Sequence, residues 1–141
     1  MALDPNSSEN LSHSAWVLCH AGRAEEAIPL VEDAARLNPI LSPNQLGFMG
    51  CAYRMTGRYE KAIEAHERAV RSSPKYLYAR IQLIASYMAL GREEEARADA
   101  AELLRMFPSK TYIYESVKRM PFKERAENDR LMDALHKAGI K

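Results

Sequence analysis

Gly57-Arg58-Tyr59-Glu60-Lys61-Ala62, followed by Ala69 and Pro74, is the stretch whose reading decides the fold. It has two counterparts in the chain. Gly22-Arg23-Ala24-Glu25-Glu26-Ala27 is followed by Ala34 and Pro39, and Gly91-Arg92-Glu93-Glu94-Glu95-Ala96 by Leu103 and Pro108. Gly22 to Gly57 is 35 residues and Gly57 to Gly91 is 34. A period of that length marks units that bury their apolar faces only by stacking on one another, which is the pattern of a helical solenoid. The expected fold is therefore all-α: three helix pairs in a right-handed superhelix, closed by C-terminal capping helices.

On the N-terminal side of Gly57, Leu46, Met49, Gly50 and Tyr53 recur at spacings of three, one and three, which places them on one helical face. Ser42-Pro43 with Gln45 reads as a capping box with proline in the first turn, so a helix is expected to start there. Gly57 ends it, because glycine takes up the left-handed conformation that helix ends often need. On the other side, Ala62, Ile63, His66, Ala69 and Val70 line the inner face of a second helix, which Pro74 stops. The neighbouring units read alike. Asn6 with Glu9 resembles a cap, Leu11, Ala15 and Leu18 line one helix, and Ala27, Ile28, Val31, Ala34 and Ala35 line the next. In the third unit Leu83, Ile84 and Tyr87 precede Gly91, and Ala96, Ala100, Leu103 and Leu104 follow it. Small residues let paired helices approach, so Gly50 is expected against Ala62 and Ala15 against Ala27. Ile84 stands where the others have Gly50 and Ala15, and either its pair is expected to sit further apart or a neighbour to have shifted to fit.

The units are bounded at 6–40, 41–75 and 76–109. Residues 110–141 read as two capping helices: a short one over 111–117, stopped by Pro121, and one from Glu124 to Lys137 with Leu131, Met132 and Leu135 as its apolar stripe. They are expected to cover the exposed face of the last unit. Pro5 precedes Pro39 by 34 residues, so residues 1–5 read as the remnant of a preceding repeat, and the chain as part of a longer protein; the competing reading is an unusually short start or an ordinary turn leader before the first helix.

Composition narrows the function. Apolar residues make up 47% and charged residues 28%, values of a soluble globular domain, and the net charge of +1 supplies no field to attract nucleic acid or a membrane surface. No apolar run has the length of a membrane span, and Met1-Ala2-Leu3-Asp4-Pro5 lacks the basic and apolar regions of a secretory signal. Two cysteines, Cys19 and Cys51, make no disulfide framework, so the expected compartment is the cytoplasm.

The three units resemble the tetratricopeptide repeat, whose pattern is W-x₂-L-G-x₂-Y, then A-x₃-F, then P. The second unit carries it best, with Leu46 for the Trp, then Met49-Gly50, Tyr53, Ala62, Ala69 and Pro74, and His66 at the aromatic site. The first has Leu11, Ser14-Ala15, Leu18, Ala27, Val31, Ala34 and Pro39. The third has Arg80 in place of the Trp, then Tyr87, Ala96 and Pro108. The tail, Pro121-Phe122-Lys123 and Leu135-His136-Lys137-Ala138-Gly139-Ile140, resembles the "LRKAGLP" close of repeat modules that follow a class III adenylate/guanylate cyclase domain or a winged-helix regulator in bacteria. That resemblance implies a regulatory or self-association module of a larger signalling enzyme.

Helical phase assigns the first helix of each pair to a concave groove. The residues expected to stand exposed there are Ser12, Trp16, Cys19 and His20; then Gly47, Cys51, Arg54 and Met55; then Tyr78, Ile81, Ala85 and Met88. Such an apolar, aromatic and Met-bearing face suits a protein partner, a peptide or a helix. The competing reading is that the C-terminal helix covers it, since large apolar patches seldom stay bare. Some tetratricopeptide proteins clamp a C-terminal carboxylate with Lys, Arg and Asn. Only Arg54 offers such a group here, which argues against an acidic chaperone tail. His13, Cys19, His20 and Cys51 form no compact zinc motif, and no Cys–His pair has a third orienting group, so neither a metal, a cofactor nor an enzyme activity is expected. His66 reads as a core residue, and Glu93-Glu94-Glu95 as a solvated helix start. Lys118, Arg119, Lys123 and Arg125 are offset by Glu115, Glu124 and Glu127.

Overall fold

The structure, a computed structural model, describes residues 5–141. Among the described residues the only regular structure is helical. Helices α1 (Pro5–His20) and α2 (Ala24–Leu37), α3 (Pro43–Met55) and α4 (Tyr59–Ser72), and α5 (Leu77–Ala89) and α6 (Glu93–Met106) form three consecutive hairpins. Then come α7 (Lys110–Lys118) and α8 (Arg125–Lys137). Each hairpin stacks on the next through α1 on α3, α2 on α3, α3 on α5 and α4 on α5, which is the all-α solenoid that the repeat requires. The expectation for residues 1–5 falls on residues outside those described, except for Pro5, which is already helical. Asn6 lies inside α1 and does not precede it.

The turns form for the reasons the sequence suggests. The Arg58 N–H donates to the Tyr53 carbonyl at 2.7 Å and the Gly57 N–H to the Arg54 carbonyl at 3.1 Å. This crossed pair requires Gly57 at a φ of 79°, where a Cβ would be strained. The turns at Gly22 and Gly91 repeat the pattern, with Arg23 donating to Leu18 and Arg92 to Tyr87. At the start of α3 the capping box is complete: the Gln45 N–H donates to Ser42 Oγ at 3.2 Å, and the Ser42 N–H to Gln45 Oε1 at 3.1 Å. Pro29 sits within α2, on its exposed side, without ending the helix.

Small residues close the seams of the first two hairpins. Ala15, Ala27, Ala62 and Ala69 are fully buried. The side chain nearest Gly50 is His66: a Cβ placed on Gly50 would meet the His66 ring carbons Cδ2 and Cε1 at 2.5 and 2.6 Å. His66 lies one turn beyond Ala62 on the same face, and its ring reaches across to Gly50. The ring is completely buried, and its Nε2 bonds the Gly47 carbonyl at 3.3 Å. Burial, aided by the Arg54 charge, pushes its pKa down to about 3, so the ring is neutral and Nε2–H is the donor. The third hairpin is the loosest of the three, in keeping with Ile84 at its seam. Arg80, at the position a tryptophan would fill, is buried with its Nε–H donated to the Pro74 carbonyl at 2.7 Å and Nη1 3.4 Å from Asp99.

Candidate functional site

The concave face is built from α1, α3 and α5, and the chain's own C-terminal segment lies on it. Helix α8 packs along α5, the first helix of the last hairpin, and also reaches α3, while residues 122–124 reach α1. Three contacts fix this course. The Lys123 N–H donates to the His20 carbonyl at 2.7 Å. The Phe122 ring stacks on His20 with centroids 4.3 Å apart and planes at 14°. The Arg54 guanidinium pairs through Nη1 with Glu127 Oε1, and both side chains are only 7% exposed.

The expected exposure of the groove is therefore corrected at most positions. His20, Cys19, Gly47, Cys51, Arg54 and Ile81 are buried. Ser12 is buried for another reason. With Ser8 it accepts the Gln45 amide, at 3.1 and 2.9 Å, and Ser8 Oγ–H donates to the Ala34 carbonyl at 2.9 Å, so Ser12 belongs to the joint between hairpins. Trp16, Met55, Tyr78, Ala85 and Met88 remain half-buried. Trp16 is the hub of an aromatic cluster, 4.4 Å from His20 and 5.9 Å from both His13 and Phe48. Between α8 and the helices beneath it a cleft of about 260 Å³ stays open, lined by Arg54, Tyr59, Met88, Arg130, Leu131 and Lys137 among others.

The floor of the joint is polar. The Arg54 Nε–H donates to Gln82 Oε1 at 2.9 Å, and Glu127 Oε2 accepts from the exposed Arg130 at 2.7 Å. Burial alone would raise the Glu127 pKa, but Arg54 and then Arg130 outweigh it and hold the carboxyl below its usual range. Buried His20 is pushed down from its ordinary pKa by desolvation, while its Nδ1 bonds the Trp16 carbonyl at 2.8 Å. Cys19 and Cys51 are free thiols without exposure. Their mutual interaction raises the Cys19 pKa and lowers that of Cys51, whose thiolate form Arg54 also favours. Among the described residues, His20 Nε2, Arg54 Nη2, Gln82 Nε2 and Ser86 Oγ are buried without a hydrogen-bond partner. Among the described residues, no three of His, Cys, Asp and Glu converge as metal ligands, and no helix is long and apolar enough to cross a membrane.

Phe122, Glu127 and Gln82 are members of this site that the sequence pattern does not reveal. The one signal for Glu127 is a groove-phase arginine on α3 with no acid on its own helix. Along the chain, Glu127 instead reads as an offset to the nearby basic cluster.

The model of the Psidin N-terminal TPR (tetratricopeptide) repeats region matches residues 5–136. No curated protein matches by sequence. A crystal structure of MamA superposes with a TM-score of 0.69 at 22% identity, covering 96% of this chain and 78% of that one. The first TPR domain of human RPAP3, solved by NMR, gives 0.66 at 19% identity, with 94% and 98% covered. TTC0263, a thermophilic TPR protein of Thermus thermophilus, gives 0.63 at 22%, with 96% and 73% covered. At these identities the structural matches speak to the fold.

Proposed function

The chain belongs to the family of the Psidin N-terminal tetratricopeptide repeats region, and from that premise we propose a non-catalytic scaffold that binds a peptide or helix on its concave face. The observation that carries this reading is the occupied groove. An amphipathic segment is seated there by a buried ion pair, a ring stack and a backbone hydrogen bond, so the surface is able to hold a helix. Trp16, Met55, Tyr78 and Met88 remain partly open at its margin and offer aromatic and thioether surface to a partner. Photo-crosslinking from position 48 on α3 and from position 71 on α4 tests the face used. Partners trapped from position 48 support the reading, and partners trapped from position 71 alone overturn it. With a trapped partner in hand, Trp16→Ala is expected to weaken binding in calorimetry while circular dichroism stays that of a folded helical protein.

The intramolecular occupancy also favours a second reading, a regulatory or self-association module of a larger bacterial signalling enzyme such as a nucleotide cyclase. This reading predicts a catalytic domain upstream in the same reading frame and no external peptide ligand. The full gene sequence separates the two.

A further inference from the structure

Beneath α8 lies a cation that stands outside the seams of the helix pairs. The Arg54 side chain is only 7% exposed, yet it contributes nothing to the seams between paired helices, which are closed by alanine, glycine and His66. A buried guanidinium is costly unless an acid reaches it. The acid that does so comes from residue 127, 73 positions away, on the segment that lies in the groove. That carboxylate is shared with the exposed Arg130, while Arg54 Nη2, Gln82 Nε2 and, one turn along α5, Ser86 Oγ keep unspent hydrogen-bonding capacity. The floor therefore presents more donors than Glu127 can satisfy. Around this polar spot, Phe122 stacks on His20 at one end and Leu131, fully buried, fills the other.

We infer that residues 122–131 hold the place of a partner segment of the same chemistry: an aromatic side chain leading into a helix whose first turn presents one carboxylate to Arg54 and whose next turn buries a leucine-sized side chain. This inference rests on the concave-face reading above and adds the partner's chemistry to it. Recognition is of one acidic side chain within a helix. A lone guanidinium among neutral donors matches a single carboxylate by charge, whereas a polyacidic tail would need further cations. The chain's own segment is tethered at an effective concentration on the order of millimolar, so a partner has to out-compete it and the resting groove is self-occupied.

The test uses the whole chain and a fluorescein-labelled synthetic peptide with the sequence of residues 119–137, read by anisotropy. A second peptide carries Glu127→Gln. In the protein, Leu131→Ala weakens the tethered copy. The peptide with glutamate is expected to bind this variant at least about tenfold more tightly than it binds the wild type, and the glutamine peptide to bind the variant at least about tenfold more weakly than the glutamate one. With Arg54→Met added, that discrimination is expected to vanish. Equal binding of both peptides overturns the acidic specificity and leaves the concave-face reading standing. No binding of either peptide to a variant that is folded by circular dichroism overturns both. Should Leu131→Ala fail to fold, hydrogen exchange of the wild type serves. Millimolar glutamate peptide is expected to quicken exchange across residues 122–137 by displacing them, and no change in exchange overturns the inference.

Discussion

The seams inside the first two hairpins and the joint between α8 and the concave face are both buried, but they are made of different materials. In the seams, α1 meets α2 and α3 meets α4 through Ala15, Ala27, Gly50 and Ala62, with His66 the lone polar ring. Close packing of small side chains tolerates no added volume. In the joint, attraction is concentrated in the Arg54–Glu127 pair, the His20–Phe122 stack and the Lys123 N–H, over a floor with unmatched polar atoms. A seam fails only when the hairpin fails. The joint can open while the hairpins stay intact, because water re-solvates the polar groups that α8 leaves behind. Shape holds the scaffold together, and polar matching selects what lies on it.

The largest expected effect lies in a seam. Gly50→Leu drives a side chain into the His66 ring and is expected to cost about 3 kcal/mol of global stability. Urea denaturation measures it, and a loss below about 1 kcal/mol would mean that the seam yields as easily as the joint. Next comes Glu127→Ala, which leaves Arg54 buried without its acid. With α8 held in place the cost would be about 3–5 kcal/mol, but undocking relieves it, so about 2 kcal/mol is expected. Hydrogen exchange is expected to quicken only over residues 120–137. Uniform acceleration would show the two regions to be one cooperative unit. The double variant Arg54→Met with Glu127→Leu is expected to recover most of that loss.

Acid is expected to act on both regions in the same direction. His66 and His20 have depressed pKa values in the folded protein, so the unfolded chain binds more protons as pH falls below about 6.5. Stability is full above that pH and is lost on acidification, for His66 down to its folded value of about 3. His66→Phe is expected to flatten the fall in Tm between pH 7 and pH 4, and an unchanged slope would place the sensitivity elsewhere. The smallest effect is Gly47→Ala. Its Cβ would meet the Tyr76 hydroxyl at 2.6 Å, at the far end of a half-buried side chain that is able to swing away. Less than about 1 kcal/mol is expected, against the larger cost at Gly50 one turn along.

Helix order, turns and seams are legible in the sequence because their determinants are local. Gly57 at positive φ, the Ser42–Gln45 box and the 34-residue spacing each act within one unit. The side chain nearest Gly50 is His66, one turn of α4 beyond Ala62, because phase names a face and leaves open which side chain on it reaches furthest across. The face of α1, α3 and α5 that the helical phase leaves open is covered. Ser12 goes to the joint between hairpins, since the Gln45 amide, which also donates to Ser8, offers it a hydrogen bond that water would otherwise supply. His20, Cys51, Arg54 and Ile81 go under cover.

By itself, then, the sequence determined that this chain stacks three helix pairs and which small residues let them touch, because repeat period, capping and side-chain volume are short-range properties. Only the tertiary structure decided where the C-terminal segment lies. The pairing of Arg54 with Glu127 spans 73 residues, and no periodicity links them. What brings them together is the need to neutralise a buried charge and cover an apolar face at once, a condition that exists only after the hairpins have stacked.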